Sequence, residues 1–228
     1  LEALAKLGNV LPLAQPGGVG GADCDSDRLA GPRGEACTLA AEKLQRKMAP
    51  CNGRVGVWGT EIAELSKEQL IQLLTDAAKR WLAHDGLWFQ AVEGAHGLEE
   101  AIRLDAEAWE RFTVIEAKRI KEFLGLPDDG GLDALAEALK FRLYALVNQQ
   151  ETIRVDERTI VFRMNACRVQ EARKRKGLPD FPCKPVGLVE YAGFARAIDP
   201  RIKTRCIACP PDEHPAEYWC AWEFKIDS

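Results

Sequence analysis

The spacing of apolar residues changes near residue 150, and this change restricts the chain to folds that combine helices with a sheet. From about residue 65 to Leu146, apolar residues recur every three or four positions, which is the spacing of one helix face. Residues 152–155 and 159–164 are instead short runs rich in β-branched residues, which are typical of strands. We therefore predict an α+β fold, with a helical N-terminal half packed against a small antiparallel sheet that carries two helices and a cysteine cluster.

Capping residues and glycines divide the first half into four predicted helices. Ser66 and Gln69 have the spacing of a capping box, and Gly125 followed closely by Pro127 is a typical stop signal. Asp133 is a candidate cap for the last helix. The predicted helices cover about residues 66–86, 87–92, 98–124 and 133–146.

The second half is predicted to contain four strands and two helices. The first two strands form a hairpin that turns at residues 156–158, and two helices follow, over residues 165–177 and from Lys184 onward. The remaining strands cover residues 202–207 and 218–226. The last strand alternates apolar and polar residues, and this alternation places Cys220 on the core side.

Composition limits the domain organisation and the partners. Residues 1–50 are rich in glycine, proline, alanine and arginine, so we predict a disordered or loosely attached segment. Residues 51–150 form the predicted helical region, and residues 151–228 the cysteine-rich α+β region. The net charge is -4, and no apolar run approaches the length of a membrane span. We expect a cytoplasmic protein that binds neither nucleic acid nor membrane.

Five of the eight cysteines fall between residues 165 and 222, and we expect the chemistry of the protein to lie there. Cys206 and Cys209 have the CxxC spacing that brings two sulfurs toward one point. With Asn165 as the predicted N-cap, Cys167 stands at the second position of a helix, and Cys183 directly precedes a proline-initiated helix. Because N–H groups and the helix dipole favour a thiolate, both placements lower the expected thiol pKa.

Three interpretations of these thiols stay open. Cys167, Cys183, Cys206 and Cys209 are candidate ligands of zinc or of an iron–sulfur cluster. Cys167 or Cys183 is alternatively a nucleophile, with His214, five residues after Cys209, as acid–base group. The third interpretation is that the cysteines are structural, since free cysteine is often buried.

Other polar residues are given simpler interpretations. Cys24, Cys37 and Cys51 are too widely spaced to form a ligand set by themselves. Ionisable and aromatic residues alternate over residues 84–93, and we interpret this stretch as core and solvated face rather than as a pocket wall.

Residues 85–112 and 165–224 resemble the L-2-amino-thiazoline-4-carboxylic acid hydrolase-like family and related uncharacterised prokaryotic cytosolic proteins. The resemblance covers about residues 62–226. The shared features are a cysteine before a basic helix, matched by Cys167, a cysteine before a proline-initiated helix, matched by Cys183, and late cysteines near the C-terminus. The resemblance implies a helical half with a small α+β half, and thiol-dependent hydrolysis of a small ring that contains sulfur and nitrogen.

These observations lead to two functional hypotheses. The first is a small-molecule hydrolase-like protein that uses a cysteine thiolate or a cysteine-bound metal to act on C–N or C–S bonds. The second is a non-enzymatic sensor or interaction module that binds zinc or an iron–sulfur cluster. Both have a small-molecule substrate or ligand as the expected partner.

Overall fold

The computed structural model describes residues 60–227, and within them it has the predicted α+β class. The predicted segment 1–50, with Cys24 and Cys37, and also Cys51 lie outside the described residues. In chain order the elements are α1 (Thr60–Ala63), α2 (Lys67–His96), α3 (Leu98–Leu124), α4 (Gly131–Leu139), a 3₁₀ helix (Leu143–Leu146), β1 (Gln149–Asp156), β2 (Thr159–Ala166), α5 (Arg168–Arg175), α6 (Lys184–Ile198), β3 (Ile202–Ala208) and β4 (Cys220–Ile226).

Helix α2 is one continuous helix where we predicted two. Its capping box is confirmed, since the Ser66 N–H donates to Gln69 Oε1 at 2.8 Å and Ser66 Oγ accepts from the Gln69 N–H at 3.2 Å. The predicted break at Gly86 is wrong. Trp81 and Phe89, on either side of it, both pack against the same aromatic cluster. This packing offsets the roughly 1 kcal/mol that a glycine costs inside a helix.

The fourth predicted helix is shorter than expected, because Arg142 turns away from it. Helix α4 ends at Leu139, and Arg142 takes an extended backbone conformation with φ -66° and ψ 151°. This turn lets its buried side chain reach Glu116 of α3 and Glu190 of α6. The buried ion pairs thus end the helix that the apolar spacing had extended to Leu146.

The four strands form an antiparallel sheet with the order β1–β2–β4–β3. The two predicted hairpin strands are confirmed as β1 and β2, and β4 lies between β2 and β3. On β4, Trp222 and Phe224 are fully buried. Cys220 shares their face and is 8 % exposed, so its predicted core-side position is confirmed.

Helix α6 is the central helix, because two glycines let it approach both neighbours closely. A Cβ atom on Gly187 would lie 2.6 Å from Cζ2 of Trp222 in β4. A Cβ atom on Gly193 would lie 2.7 Å from Oγ1 of Thr113 in α3. Both separations are shorter than van der Waals contact allows. The backbone of α6 therefore lies directly against the sheet on one side and against α3 on the other.

Within residues 60–227, the helical and cysteine-rich regions form one compact unit. The main core lies between α4, α6 and the sheet, and a second apolar cluster forms around Trp109, Phe181 and Val186. Among the described helices, none combines the length and apolar character required to cross a membrane.

Candidate functional site

A cavity of about 450 Å³ lies between α2, α3, α5, α6 and the sheet. This volume falls in the range of about 300–1,000 Å³ that is typical of small-molecule sites. Aromatic rings form much of its wall, among them Trp109, Tyr144, Phe181, Tyr191 and Trp222. Four thiols also line it, those of Cys167, Cys183, Cys209 and Cys220. The fold thus gathers cysteines from the starts of two helices and from two parts of the sheet region.

Cys183 and Cys209 form a hydrogen-bonded thiol pair in the cavity wall. Their Sγ atoms are 3.9 Å apart, with Cys209 as donor. This bond is the main reason that the pKa of Cys183 is lowered, and a bond from Gln170 lowers it further, while burial acts in the opposite direction. The same pairing raises the pKa of Cys209. Cys183 is also the N-cap of α6, where helix N–H groups favour an anion. Cys183 is therefore the thiol of this pair that ionises.

Gln170 of α5 holds the donor for Cys183 in a fixed position. Its side chain is fully buried and clamps Phe181, accepting from the backbone N–H and donating to the backbone carbonyl, each at 2.8 Å. The second hydrogen of Nε2 points at Cys183 Sγ, 3.3 Å away. Gln170 was not predicted as a site residue, because glutamine in a helix usually faces solvent and carries no motif of its own.

Cys167 lines the cavity, but its predicted environment is wrong. It is the N-cap of α5 rather than the second helical residue, because β2 continues through Ala166 and includes Asn165. Asn165 does not cap the helix, and its amide donates to Glu151 of β1 at 3.0 Å. Burial raises the pKa of Cys167 to about 12, opposite to the direction expected from a helix N-terminus. Cys167 is thus a protonated thiol at neutral pH.

Cys206 lies outside the cavity lining, although the CxxC spacing placed it beside Cys209. It is on β3, paired with Trp222 of β4, and the ladder is irregular between Cys206 and Ala208. Cys209 follows the end of the strand. Burial raises the pKa of Cys206. The extended backbone between the two thiols therefore sends only Cys209 into the cavity.

His214, the predicted acid–base residue, also lies away from the cavity lining. Its ring contacts Trp219 with the centroids 5.2 Å apart, and its Nδ1 is 3.0 Å from the carbonyl oxygen of Pro215. Both contacts stay within the connection between β3 and β4. The structure thus brings together Cys167, Cys183 and Cys209, with Cys220, and leaves Cys206 and His214 outside.

The sequence matches the profile of a family described as a family of unknown function (DUF6125) over residues 63–226. The chain belongs to this family. Among solved structures, this DUF6125 chain is similar to the phenol-responsive sensory domain of the transcription activator PoxR with phenol, at 19% identity and a TM-score of 0.44, over 63% of this chain and 73% of that one. No curated protein matches the sequence.

The DUF6125 chain carries a buried charge cluster beside the cavity. Arg142 donates to Glu116 at 2.9 Å and to Glu190 at 2.7 Å, and its guanidinium lies 4.8 Å from the ring centre of Phe194. Burial raises the pKa of Glu190, and Arg142 opposes this effect. Glu190 also lines the cavity, so its contact with Arg142 holds a carboxyl group in position at the site.

Two more carboxyl groups, those of Asp85 and Asp105, line the same cavity. Burial, followed by the charges of Asp85 and Glu190, raises the pKa of Asp105 to about 7. Burial also raises the pKa of Asp85, which our interpretation of residues 84–93 had assigned to core and solvated face. A signal was present for Asp105, since it lies four residues before Trp109 on the apolar stripe of α3.

Two sulfur atoms, those of Cys183 and Cys209, have a separation that suits a shared metal ion. The 3.9 Å between Cys183 Sγ and Cys209 Sγ is close to the roughly 3.8 Å expected for two thiolates on one tetrahedral zinc ion. Within residues 60–227, no group of three or more histidine, cysteine, aspartate or glutamate side chains is arranged to hold a metal ion.

Proposed function

We propose that this DUF6125 protein binds a small organic molecule in the thiol-lined cavity and that Cys183, as a thiolate, is the group that reacts with it. The observation that carries the proposal is the pair of donors on Cys183 Sγ, from Gln170 at 3.3 Å and from Cys209 at 3.9 Å. Such donors stabilise the thiolate, which is the nucleophilic form of cysteine.

The reaction that suits this arrangement is hydrolysis through a covalent intermediate. The Cys183 thiolate attacks an electrophilic carbon, forming a C–S bond while the bond from that carbon to a nitrogen or sulfur leaving group breaks. The leaving group takes a proton from a carboxyl group of the cavity, for which Asp105 is the candidate, because burial raises its pKa to about 7 and keeps a large fraction of it protonated at neutral pH. Water then cleaves the enzyme–carbon bond and returns the proton. Thiol-dependent hydrolysis is also the activity implied by the resemblance described above.

Acyl transfer from a chromogenic ester tests the nucleophile. With p-nitrophenyl acetate at neutral pH, we expect an acetyl adduct by intact-mass spectrometry, mapped by peptide digestion to Cys183. Cys183→Ser should lose the adduct, and Cys206→Ser is the matched control, because Cys206 does not line the cavity. An adduct that persists in Cys183→Ser, or that forms on Cys167 instead, would contradict the proposal.

The second candidate function is a metal-dependent sensor or interaction module. The observation in its favour is the sulfur separation of Cys183 and Cys209, with Cys220 in the lining of the same cavity. Metal analysis and an absorption spectrum of anaerobically purified protein separate the candidates. Stoichiometric zinc or iron that is lost in Cys209→Ser and kept in Cys206→Ser favours the metal site. Metal-free protein that forms the Cys183 adduct favours the nucleophile.

A further inference from the structure

The carboxyl groups of Asp85, Asp105 and Glu190 form one face of the cavity, which we call the acidic face. They come from α2, α3 and α6. Asp85 and Asp105 also line a second, smaller cavity together with Trp109. Burial, and then the charges of Asp85 and Glu190, raise the pKa of Asp105. Three helices thus direct negative charge at one region of the cavity.

The cations near the acidic face are already engaged. Arg142 is the cation that acts on Glu190, and it is shared with Glu116. Neither Asp85 nor Asp105 has a lysine or arginine partner within residues 60–227. The acidic face therefore has more carboxyl groups than cations to balance them, which is costly in a partly buried site.

The basic residues of the lining do not correct this imbalance. The lining has five basic residues, among which Lys79, Arg168 and Arg175 are exposed to solvent. Arg173 and Lys176, near the end of α5, contact Glu93 at 3.4 Å and Gln90 at 3.0 Å, respectively. None of the five contributes to the pKa shift of Asp85 or Asp105. The cavity therefore has a basic side on α5 and an acidic face opposite in charge.

Tyr191 gives an independent sign that the cavity is built for a polar ligand. It lines the cavity and is 5 % exposed. Its hydroxyl makes no hydrogen bond within the part of the chain that the structure describes, and it is not among the sealed polar atoms that lack a partner. The hydroxyl therefore opens onto the cavity. A buried hydroxyl without a protein partner requires one from a ligand or from water.

Aromatic faces adjoin the acidic face. Trp109 lies four residues after Asp105, and its ring stacks on that of Tyr144 with the centroids 5.6 Å apart. Both rings line the cavity. The Arg142 guanidinium already lies 5.8 Å from the centre of each ring, so the two rings offer an apolar surface for the body of a ligand, and the carboxyl groups beside them offer the contact for its positive charge.

We propose that the ligand of this cavity is a small organic cation, a protonated amine on an aromatic or apolar body. Its ammonium group lies at the acidic face, and its body lies against Trp109 and Tyr144. The proposal rests on the proposed function in so far as that function has the cavity bind a small molecule. The ammonium group supplies the positive charge that Asp85 and Asp105 lack, and its N–H groups donate to their carboxylates.

Three probes of nearly equal shape and different charge test the proposal: phenethylamine, phenethyl alcohol and hydrocinnamate. Binding to the full chain is measured by isothermal titration calorimetry at pH 8, where Asp105, with its pKa of about 7, is ionised. We expect phenethylamine to bind at least about tenfold more tightly than the alcohol, which corresponds to one charge-assisted contact. Hydrocinnamate should bind most weakly.

The test variant carries both Asp85→Asn and Asp105→Asn, because asparagine is close to aspartate in shape. Together they should remove the preference for the amine and leave binding of the alcohol within about twofold, because the apolar wall is unchanged. The matched control is Asp76→Asn, which removes an exposed acid of the same helix that pairs with Arg80. It should leave all three affinities unchanged. Circular dichroism confirms that each variant is folded.

The outcomes separate this inference from the proposed function. Equal or tighter binding of the alcohol or of hydrocinnamate, or an amine preference that survives in the double variant, overturns the cation inference and leaves the Cys183 proposal intact. Binding of none of the three probes also overturns the cation inference, and the ester adduct on Cys183 then decides the proposed function alone. Loss of that adduct with retained amine binding overturns only the nucleophile.

Discussion

Cys209 donates its thiol hydrogen to Cys183 across 3.9 Å, and this contact gives the two thiols of the pair opposite pKa shifts. Because a proton shared in this way stabilises the negative charge on the acceptor, the pKa of Cys183 is lowered and that of Cys209 is raised. Cys167, which shares the cavity, has no such donor pair and is protonated at neutral pH. The neighbours of each thiol thus determine which of them ionises most readily.

Alkylation at neutral pH should modify Cys183 before Cys167. With iodoacetamide and timed peptide mapping at pH 7, the labelling rate of Cys183 reflects its lowered pKa, since the thiolate is the reacting form. Cys209→Ala removes one donor, so the pH at which Cys183 is half-maximally labelled should rise. Cys206→Ala, outside the cavity, should leave that pH unchanged. Labelling of Cys167 first, or an unchanged profile in Cys209→Ala, would contradict the thiol-pair argument.

Removal of the Arg142 side chain should be among the most destabilising changes in the chain. Arg142→Met leaves Glu116 and Glu190 buried without their partner, and breaking such a buried pair costs about 3–5 kcal/mol of unfolding free energy. Urea denaturation followed by circular dichroism measures the loss. Arg205→Met is the matched control, because it removes an exposed pair with Glu223 on the sheet, and its midpoint should barely move. Equal shifts in the two variants would argue against the buried cluster.

Two glycine-to-alanine changes should act in opposite directions. Gly187→Ala places a Cβ atom 2.6 Å from Trp222, so α6 or the indole must shift, at a cost of about 1–3 kcal/mol. Gly94→Ala, in the exposed part of α2, meets nothing within 4 Å and should stabilise the helix by about 0.5–1 kcal/mol. Thermal unfolding of both variants checks the signs. A stabilised Gly187→Ala would show that α6 does not lie against Trp222.

Asp105→Asn should stabilise the ligand-free protein above neutral pH. The folded pKa of Asp105 is raised to about 7 from 3.8, so ionisation opposes folding, and the penalty grows from about pH 4 to about pH 7. Asparagine has no such penalty. Urea midpoints should therefore differ most at pH 8, with the variant more stable, and should converge near pH 4. A variant that is less stable than the parent at pH 8 would contradict the raised pKa.

This last prediction also connects stability with binding. A partly buried carboxyl group without a cation partner destabilises the empty protein, and such costs are typical of residues that a binding site requires. If the acidic face binds amines, phenethylamine should raise the melting temperature of the parent chain more than that of Asp105→Asn. A differential scanning fluorimetry series over probe concentration measures this difference.

Much of the fold was predictable because its signals are local. Capping at Ser66 and the period-two pattern that buries Trp222 and Phe224 depend on residues close together in sequence. The errors arose where distant contacts decided the outcome. The packing of Trp81 and Phe89 carries α2 through Gly86, and the pairing of Arg142 with two other helices ends the helical spacing at Leu139.

The site was predicted only in part, for the same reason. The predicted helix start placed Cys183 directly before α6, as it is in the structure, since Lys184 and Pro185 begin that helix. The CxxC spacing favoured Cys206, but strand pairing with β4 removes it from the cavity. Gln170, Asp85 and Asp105 become functional candidates only once α2, α3 and α5 surround one space. No short sequence window contains that information.

The close approach of α6 to both of its neighbours determines where the cavity can adapt. Gly187 lies against Trp222 and Gly193 lies against Thr113, so α6 cannot move closer to the sheet or to α3. The wall of the cavity that α6 forms is therefore rigid. A molecule larger than the cavity can be accommodated only if α2 or α5 moves outward. We therefore expect α5 and α2, which carries Asp85, to set the upper limit on ligand size, while Glu190 stays fixed on α6.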